Sequence, residues 1–219
     1  MATSTKATKV SKEKIIERYM QYVLEHETVP RSIFKFCKEI KIKEEQFYEH
    51  FGSFDGLQKE IWKTFFDQTM GFLGKNKEYG AYANREKMLS FFFTFFELLT
   101  LNRSYVLFAL KEHHSKMESM AQLKGLRSNI KDFATELIQK GNEGKTLKIT
   151  KQNPVIFSEG AWVQFLFLLK FWMEDSSPRL EKTDMAIEKS VNTIFDLFDN
   201  TPLDSIVDFG KFLYKETFA

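Results

Sequence analysis

The sequence predicts an all-α protein. Apolar residues recur at three- and four-residue spacing along most of the chain, as in Ile15, Ile16, Tyr19, Met20, Val23 and Leu24. Four prolines and ten glycines in 219 residues are too few for the many turns of a β-sandwich or barrel. The best candidate strand, residues 146–150, is short and sits inside the loop GNEGKTLKITKQNP.

Each helix has its own signal. Ser11 is a fitting N-cap for the first, which must stop before Pro30. Ser32 starts a short second helix with Ile33, Phe36, Cys37 and Ile40 on its inner face. A third covers residues 43–50, presents Phe47 and Tyr48, and ends at the Phe51-Gly52 break. Ser53 caps a long fourth helix running through Leu57, Ile61, Phe65 and Met70 towards Leu73. Further helices are expected over residues 84–100, 103–113, 116–140, 155–173 and 179–198, with a last amphipathic piece at 203–218. No internal repeat is visible.

Composition narrows the class. With 43% hydrophobic and 28% charged residues the chain is an ordinary globular sequence, unusual only in its 24 phenylalanines. A single cysteine excludes an intramolecular disulfide and a cysteine-cluster metal site, and suits a reducing cytosol. The polar start MATSTKATKV is not followed by an apolar stretch of the kind a signal peptide needs. Residues 88–110 and 155–173 are greasy, but Glu97 and Arg103 interrupt the first, and Glu159, Gln164 and Lys170 the second. A cytoplasmic protein without a membrane span is expected.

No catalytic motif stands out. His113 and His114 are adjacent, so on a helix they point about 100° apart and cannot share a metal as an i,i+4 pair would. With Glu112 and Glu118 nearby a surface metal site is conceivable, but a solvated polar face is the expectation. There is no nucleophile elbow, phosphate loop or paired-histidine zinc motif. The expectation is a non-enzyme with no metal and no cofactor.

Net charge is only +2, but it is unevenly spread. Residues 1–43 hold ten Lys/Arg against five Glu, whereas residues 44–55 hold four acids and no base. A basic head is what a phosphate-facing surface requires. Two short helices joined by a tight turn and flanked by longer ones are the parts of a helix-turn-helix. Phe36, Cys37, Ile42, Phe47 and Phe51 can close a mini-core between helices too short to be stable alone.

Residues 12–61 resemble the tetracycline-repressor (TetR) family. The resemblance rests on EKII at 13–16, SIFKFCKEIKI at 32–42 and above all FYEHFGSFDGL at 47–57. The last is similar to the family's L-Y-x-H/Y-F-x-S-K-E-E-L signature, with Phe47 in place of the leucine. It implies a head at 1–52, with 1–10 as a flexible basic arm, and a ligand-binding and dimerisation body at 53–219. The second short helix would then lie in the major groove of double-stranded DNA. Ser32, Lys35, Lys38, Lys43, Glu44, Glu45, Gln46, Tyr48 and His50 are the implied DNA-facing residues. Five further positions depart from the pattern. Lys41 stands at the family's turn glycine, Phe54 replaces its phosphate-anchoring lysine, and Glu44, Glu45 and Glu49 make the recognition helix acidic. Lys41 is tolerable there if its backbone avoids positive φ.

The body is expected to do two things that the resemblance implies. Phe65, Phe92, Phe95, Tyr105, Phe108 and Gln164 are candidates to line a cavity for a small apolar or amphipathic ligand. Trp162, Phe165, Leu169, Val191, Ile194 and Phe195 are candidates for a homodimer seam, because a helix apolar nearly all round must be covered on more than one side. The expected function is a ligand-responsive repressor that binds a palindromic operator as a homodimer. The alternative is a protein of the same fold without sequence-specific DNA binding, acting as a hydrophobic-ligand carrier or interaction module.

Overall fold

A computed structural model of the chain describes residues 10–111, 120–143 and 152–200, together with 212 and 215. The described residues contain α-helices and short 3-10 turns and no strand. The helices are α1 (Lys12–His26), α2 (Ile33–Glu39), α3 (Glu44–Tyr48), α4 (Phe54–Lys75), α5 (Asn84–Leu101), α6 (Arg103–Lys111), α7 (Lys124–Glu143), α8 (Pro154–Glu174) and α9 (Glu181–Asn200). The all-α fold is as the periodicity predicts. His113, His114, the arm at 1–9, the candidate strand at 146–150 and nearly all of the piece at 203–218 lie outside the described residues.

The capping signals act where the sequence puts them. Ser11 Oγ accepts the Lys14 amide, Ser32 Oγ the Lys35 amide and Ser53 Oγ the Gly56 amide. Each satisfies a first-turn donor that has no partner within its helix. Asn153 Oδ1 does the same for Val155 and Ile156, and Pro154 opens α8 at a position where a missing N–H costs nothing. The last paired helix starts later than residue 179, because Arg179 and Leu180 take left-handed backbone (φ 54° and 60°) and only Glu181 begins α9.

Two compact units are present. The described residues of the first are 10–62, 102–111 and 120–124, so it holds α1–α3, the first turns of α4, and α6. Its core is Ile15, Tyr19, Val23, Phe36, Cys37, Phe47, Leu57 and Trp62, all at most 1% exposed. Burying each large apolar side chain stabilises the fold by roughly 1.5–3 kcal/mol, which compensates for the shortness of α2 and α3. Helix α1 packs on α6, with Tyr19 edge-on to Tyr105. The buried Trp62 indole donates to Gln122 Oε1 (2.9 Å), and Gln122 Nε2 donates to the Ala109 carbonyl (3.0 Å), so this polar pair is not left unsatisfied.

The second unit is formed by residues 63–101 and, among those described, 125–200. Helix α9 packs on both α5 and α8. Phenylalanines dominate its centre: Phe91 meets Phe133 at 4.8 Å between ring centroids, Phe95 meets Phe165 at 5.6 Å, and Phe157 meets Phe195 at 5.2 Å. By length and composition α8 could cross a membrane, but more than half of its most apolar window is buried inside the fold.

Candidate functional site

The head's two short helices are set by their aromatic undersides. Phe36 on α2 and Phe47 on α3 meet edge-on at 6.2 Å, and Phe51 closes the far side against Phe47 at 5.6 Å. Ile42, expected in the same mini-core, is only half-buried. The turn between the helices passes through Lys41 at φ 59°. The condition under which a lysine would be tolerable there is therefore not met. The chain adopts the left-handed conformation with a residue that pays roughly 1–2 kcal/mol for it.

The sequence-predicted DNA-facing residues divide into two groups. Lys35, Lys38 and Lys43 are exposed and form no ion pair among the described residues. Lys12 and Lys14 differ, being paired with Glu60 and Glu17. Tyr48 is 53% exposed, with its ring edge-on to Phe47. His50 turns inward: its Nε2 lies 3.0 Å from the Val10 carbonyl, which can only accept, so Nε2 carries the proton. Gln46 is also engaged, because its Oε1 accepts the Lys43 amide at 3.1 Å. Bidentate reading of adenine needs both the oxygen and the nitrogen of an amide, and here the oxygen caps α3.

The outward carboxylates stand close by. Glu45 and Glu49 are exposed, and Glu44 is half-buried. Glu44 and Glu45, with Phe34, Lys38, Ile42 and Lys43, border a cleft of about 500 Å³ whose floor includes Cys37. Burial, and then the Glu44 carboxylate, push the Cys37 thiol up to about 11, so it is an inert thiol rather than a nucleophile. Phe34, 61% exposed, was not singled out by its sequence. A signal was available: it lies about 200° around the helix from Phe36, so when Phe36 faces the core Phe34 must face away.

The ligand candidates are distributed over both units. Phe65, Phe92 and Phe95 are buried core residues of the second unit, with Phe92 and Phe95 wholly enclosed among other rings. Tyr105 and Phe108 belong to α6 in the first unit. Burial, and then Tyr19, raise the Tyr105 hydroxyl well above its ordinary range, so it stays neutral. Gln164 does border a cavity, an apolar groove of about 540 Å³ between α8 and α9, where its Nε2 donates to Ser190 Oγ at 3.0 Å. Neither that groove nor the cleft above Cys37 has Phe65, Phe92 or Phe95 on its wall.

The seam candidates differ in how much of each is exposed. Trp162, Phe165, Leu169, Val191 and Phe195 are at most 5% exposed within their own chain. They hold α8 and α9 to the rest of the unit and leave little surface for a partner. Ile194 is different: it borders the α8–α9 groove together with Phe167, Phe171, Met185 and Thr193. Met185 is 49% exposed. Of the seam candidates, Ile194 is thus the one that borders apolar surface left open on this helix pair, while the others are buried within their own chain.

A third cavity, of about 290 Å³, is bordered by the end of α5, by Trp172, and by the turn entering α9. Asp175 organises that turn. Burial opposes its ionisation, but hydrogen bonds from Ser177 Oγ (2.7 Å), Thr183 Oγ1 (2.7 Å) and both backbone amides outweigh burial and hold the carboxyl far below the usual range.

Comparison with known proteins supplies one match. Residues 87–213, more than half of the chain, match the family described as tetracyclin repressor-like, C-terminal domain. No curated protein and no solved structure matches the chain.

Proposed function

Because this chain belongs to the tetracyclin repressor-like family, we propose that it is a ligand-responsive transcriptional repressor that binds a palindromic operator as a homodimer. The observation that carries the DNA reading is the set of exposed ammonium groups of Lys35, Lys38 and Lys43 around α2 and α3, which form no ion pair among the described residues. Phosphate neutralisation by such groups supplies affinity without sequence information. The second copy would sit on the α8–α9 groove, where Phe167, Phe171, Met185 and Ile194 leave apolar surface that water covers poorly. Effector binding would then act on the equilibrium between two dimer arrangements, which requires different affinities for the two.

A second reading has its own support. Gln46 is held as a cap, Phe54 stands in place of the anchoring lysine, and Glu44, Glu45 and Glu49 crowd one short helix. These features favour a protein of this fold that carries a hydrophobic ligand or docks a partner without reading DNA. Titration of the protein against its own upstream DNA across a range of salt concentrations separates the two. The repressor reading expects tight, salt-sensitive binding that prefers this duplex to scrambled sequence. Absence of binding to any duplex at low salt would leave the carrier reading standing.

A further inference from the structure

We propose that Phe34, on the outer face of α2, reads the 5-methyl group of thymine in the major groove, an inference that rests on the DNA reading above. Its ring is 61% exposed, whereas Phe36, on the inner face of the same helix, is fully buried. The Phe34 ring borders the cleft of about 500 Å³ that Ile42 and the first residues of α3, Glu44 and Glu45, also border. It is thus an apolar wall held beside the start of the helix that would enter the groove. Lys38 and Lys43 border the same cleft, and with Lys35 they are exposed and form no ion pair among the described residues. Ammonium groups so placed suit the phosphates that flank a major groove, which makes duplex DNA the occupant this surface fits.

The groups on the cleft then decide what it can recognise. Bidentate reading of guanine favours an arginine fork, and no arginine among the described residues borders the cleft. Bidentate reading of adenine needs a whole carboxamide, and Gln46 Oε1 accepts the Lys43 amide instead. Glu44 and Glu45 can only accept, which suits a cytosine amine. The Phe34 ring has neither donor nor acceptor. Pressed against a phosphate or a polar base edge, it would take water from those groups and return no bond. The thymine methyl is the apolar group that base edges present in the major groove, and a ring packed on it buries carbon on both sides. An apolar protein surface would cover the ring too, but it would strip water from Lys38 and Lys43 without giving them an anion.

Amplifying the protein's own upstream DNA with thymidine or deoxyuridine triphosphate gives duplexes that differ only in these methyl groups. In fluorescence-anisotropy titrations of the full chain, wild type is expected to bind the thymine duplex about fourfold more tightly for each methyl contacted, the factor that burying one methylene-sized group yields. Phe34→Ser should bind both duplexes equally while keeping the wild-type salt slope, because no phosphate contact has been removed. Phe34→Leu keeps carbon at the position and should keep a preference for thymine. Both variants change an exposed side chain and should melt cooperatively, and the wild-type comparison needs neither of them. Equal affinity of wild type for the two duplexes would overturn the proposal and leave the repressor reading standing. So would a thymine preference that survives undiminished in Phe34→Ser. Failure of wild type to bind either duplex at low salt would remove both.

Discussion

Phe54 lies stacked on Tyr19, with ring centroids 5.7 Å apart and 29° between the planes. The same ring meets Phe36 and Phe47 edge-on, each at 5.6 Å. The position that departs from the resembled pattern by losing a lysine has therefore become part of the head's aromatic core. Restoring the charge should not restore a phosphate anchor. Phe54→Lys is expected to cost about 2–4 kcal/mol by leaving three rings without their partner, and Phe54→Leu less than half as much. Urea denaturation of the two variants checks the order. A Phe54→Lys protein as stable as wild type would show that the stack contributes nothing.

Lys41 offers a test of opposite sign. A lysine at φ 59° bears a steric cost that glycine does not, while glycine is more costly to order on folding. The first effect wins by a small margin where the native backbone is already left-handed. Lys41→Gly should raise stability by up to about 1 kcal/mol, read as a higher urea midpoint with an unchanged slope. A lower midpoint would mean that the Lys41 side chain makes a stabilising contact.

These two residues show how far the sequence alone could go. Among the described residues, helix order and capping residues were legible, because each depends on local spacing and on side chains such as Ser11, Ser32 and Ser53 that bond within four residues. Residues buried by distant contacts were legible as buried, but not by what. Phe165 and Val191 carry the same helical periodicity whether they face α5 or a second chain, so periodicity could not assign them. The cavity beside Trp172 was out of reach, because it depends on a turn in which two ordinary residues, Arg179 and Leu180, adopt backbone that nothing in their identity announces.

Asp175 makes that turn sensitive to acid. A carboxyl held below its unfolded value, about 3.9, contributes stability that is complete above that value and is lost as pH falls towards the folded one. At pH 7, Asp175→Ala should cost about 2–3 kcal/mol, since the Thr183 amide and hydroxyl lose their acceptor while buried. The gap between wild type and variant should begin to close below about pH 5 and narrow further with acid. Thermal melts of both proteins between pH 7 and pH 3 measure it. A gap that widens on acidification would contradict the assignment.

The α8–α9 groove makes the dimer testable apart from the fold. Substituting a buried residue such as Phe165 would damage the chain itself, so an oligomer lost in that variant would prove little. Met185 is half exposed and Phe171 only partly covered, and both border the groove. Met185→Glu and Phe171→Asp should leave the helical content intact. Sedimentation should nonetheless shift from dimer towards monomer at micromolar concentration, at an association cost of about 3–5 kcal/mol if the seam is buried there. Wild type sedimenting as a monomer would remove the seam altogether.

The head's charges give the last test, because its lysines and its carboxylates act in opposite directions on a polyanion. Lys38→Ala and Lys43→Ala should each weaken binding to all duplexes alike and lower the salt slope by about one unit for every phosphate left without its ammonium partner. Glu45→Gln removes repulsion and should raise affinity for arbitrary DNA. If Glu45 also accepts from a cytosine amine, the same change should erode preference for the true operator. Gln46→Ala separates its two roles. As a cap it matters to the stability of α3, at about 0.5–2 kcal/mol, and as a reader it would matter to sequence preference. With Oε1 bonded to the Lys43 amide, the expected result is lower stability with operator preference nearly unchanged. A Gln46→Ala protein of wild-type stability that no longer distinguishes its operator would show that the amide leaves its cap when DNA arrives. Specificity would then reside in the residue that the free structure holds in reserve.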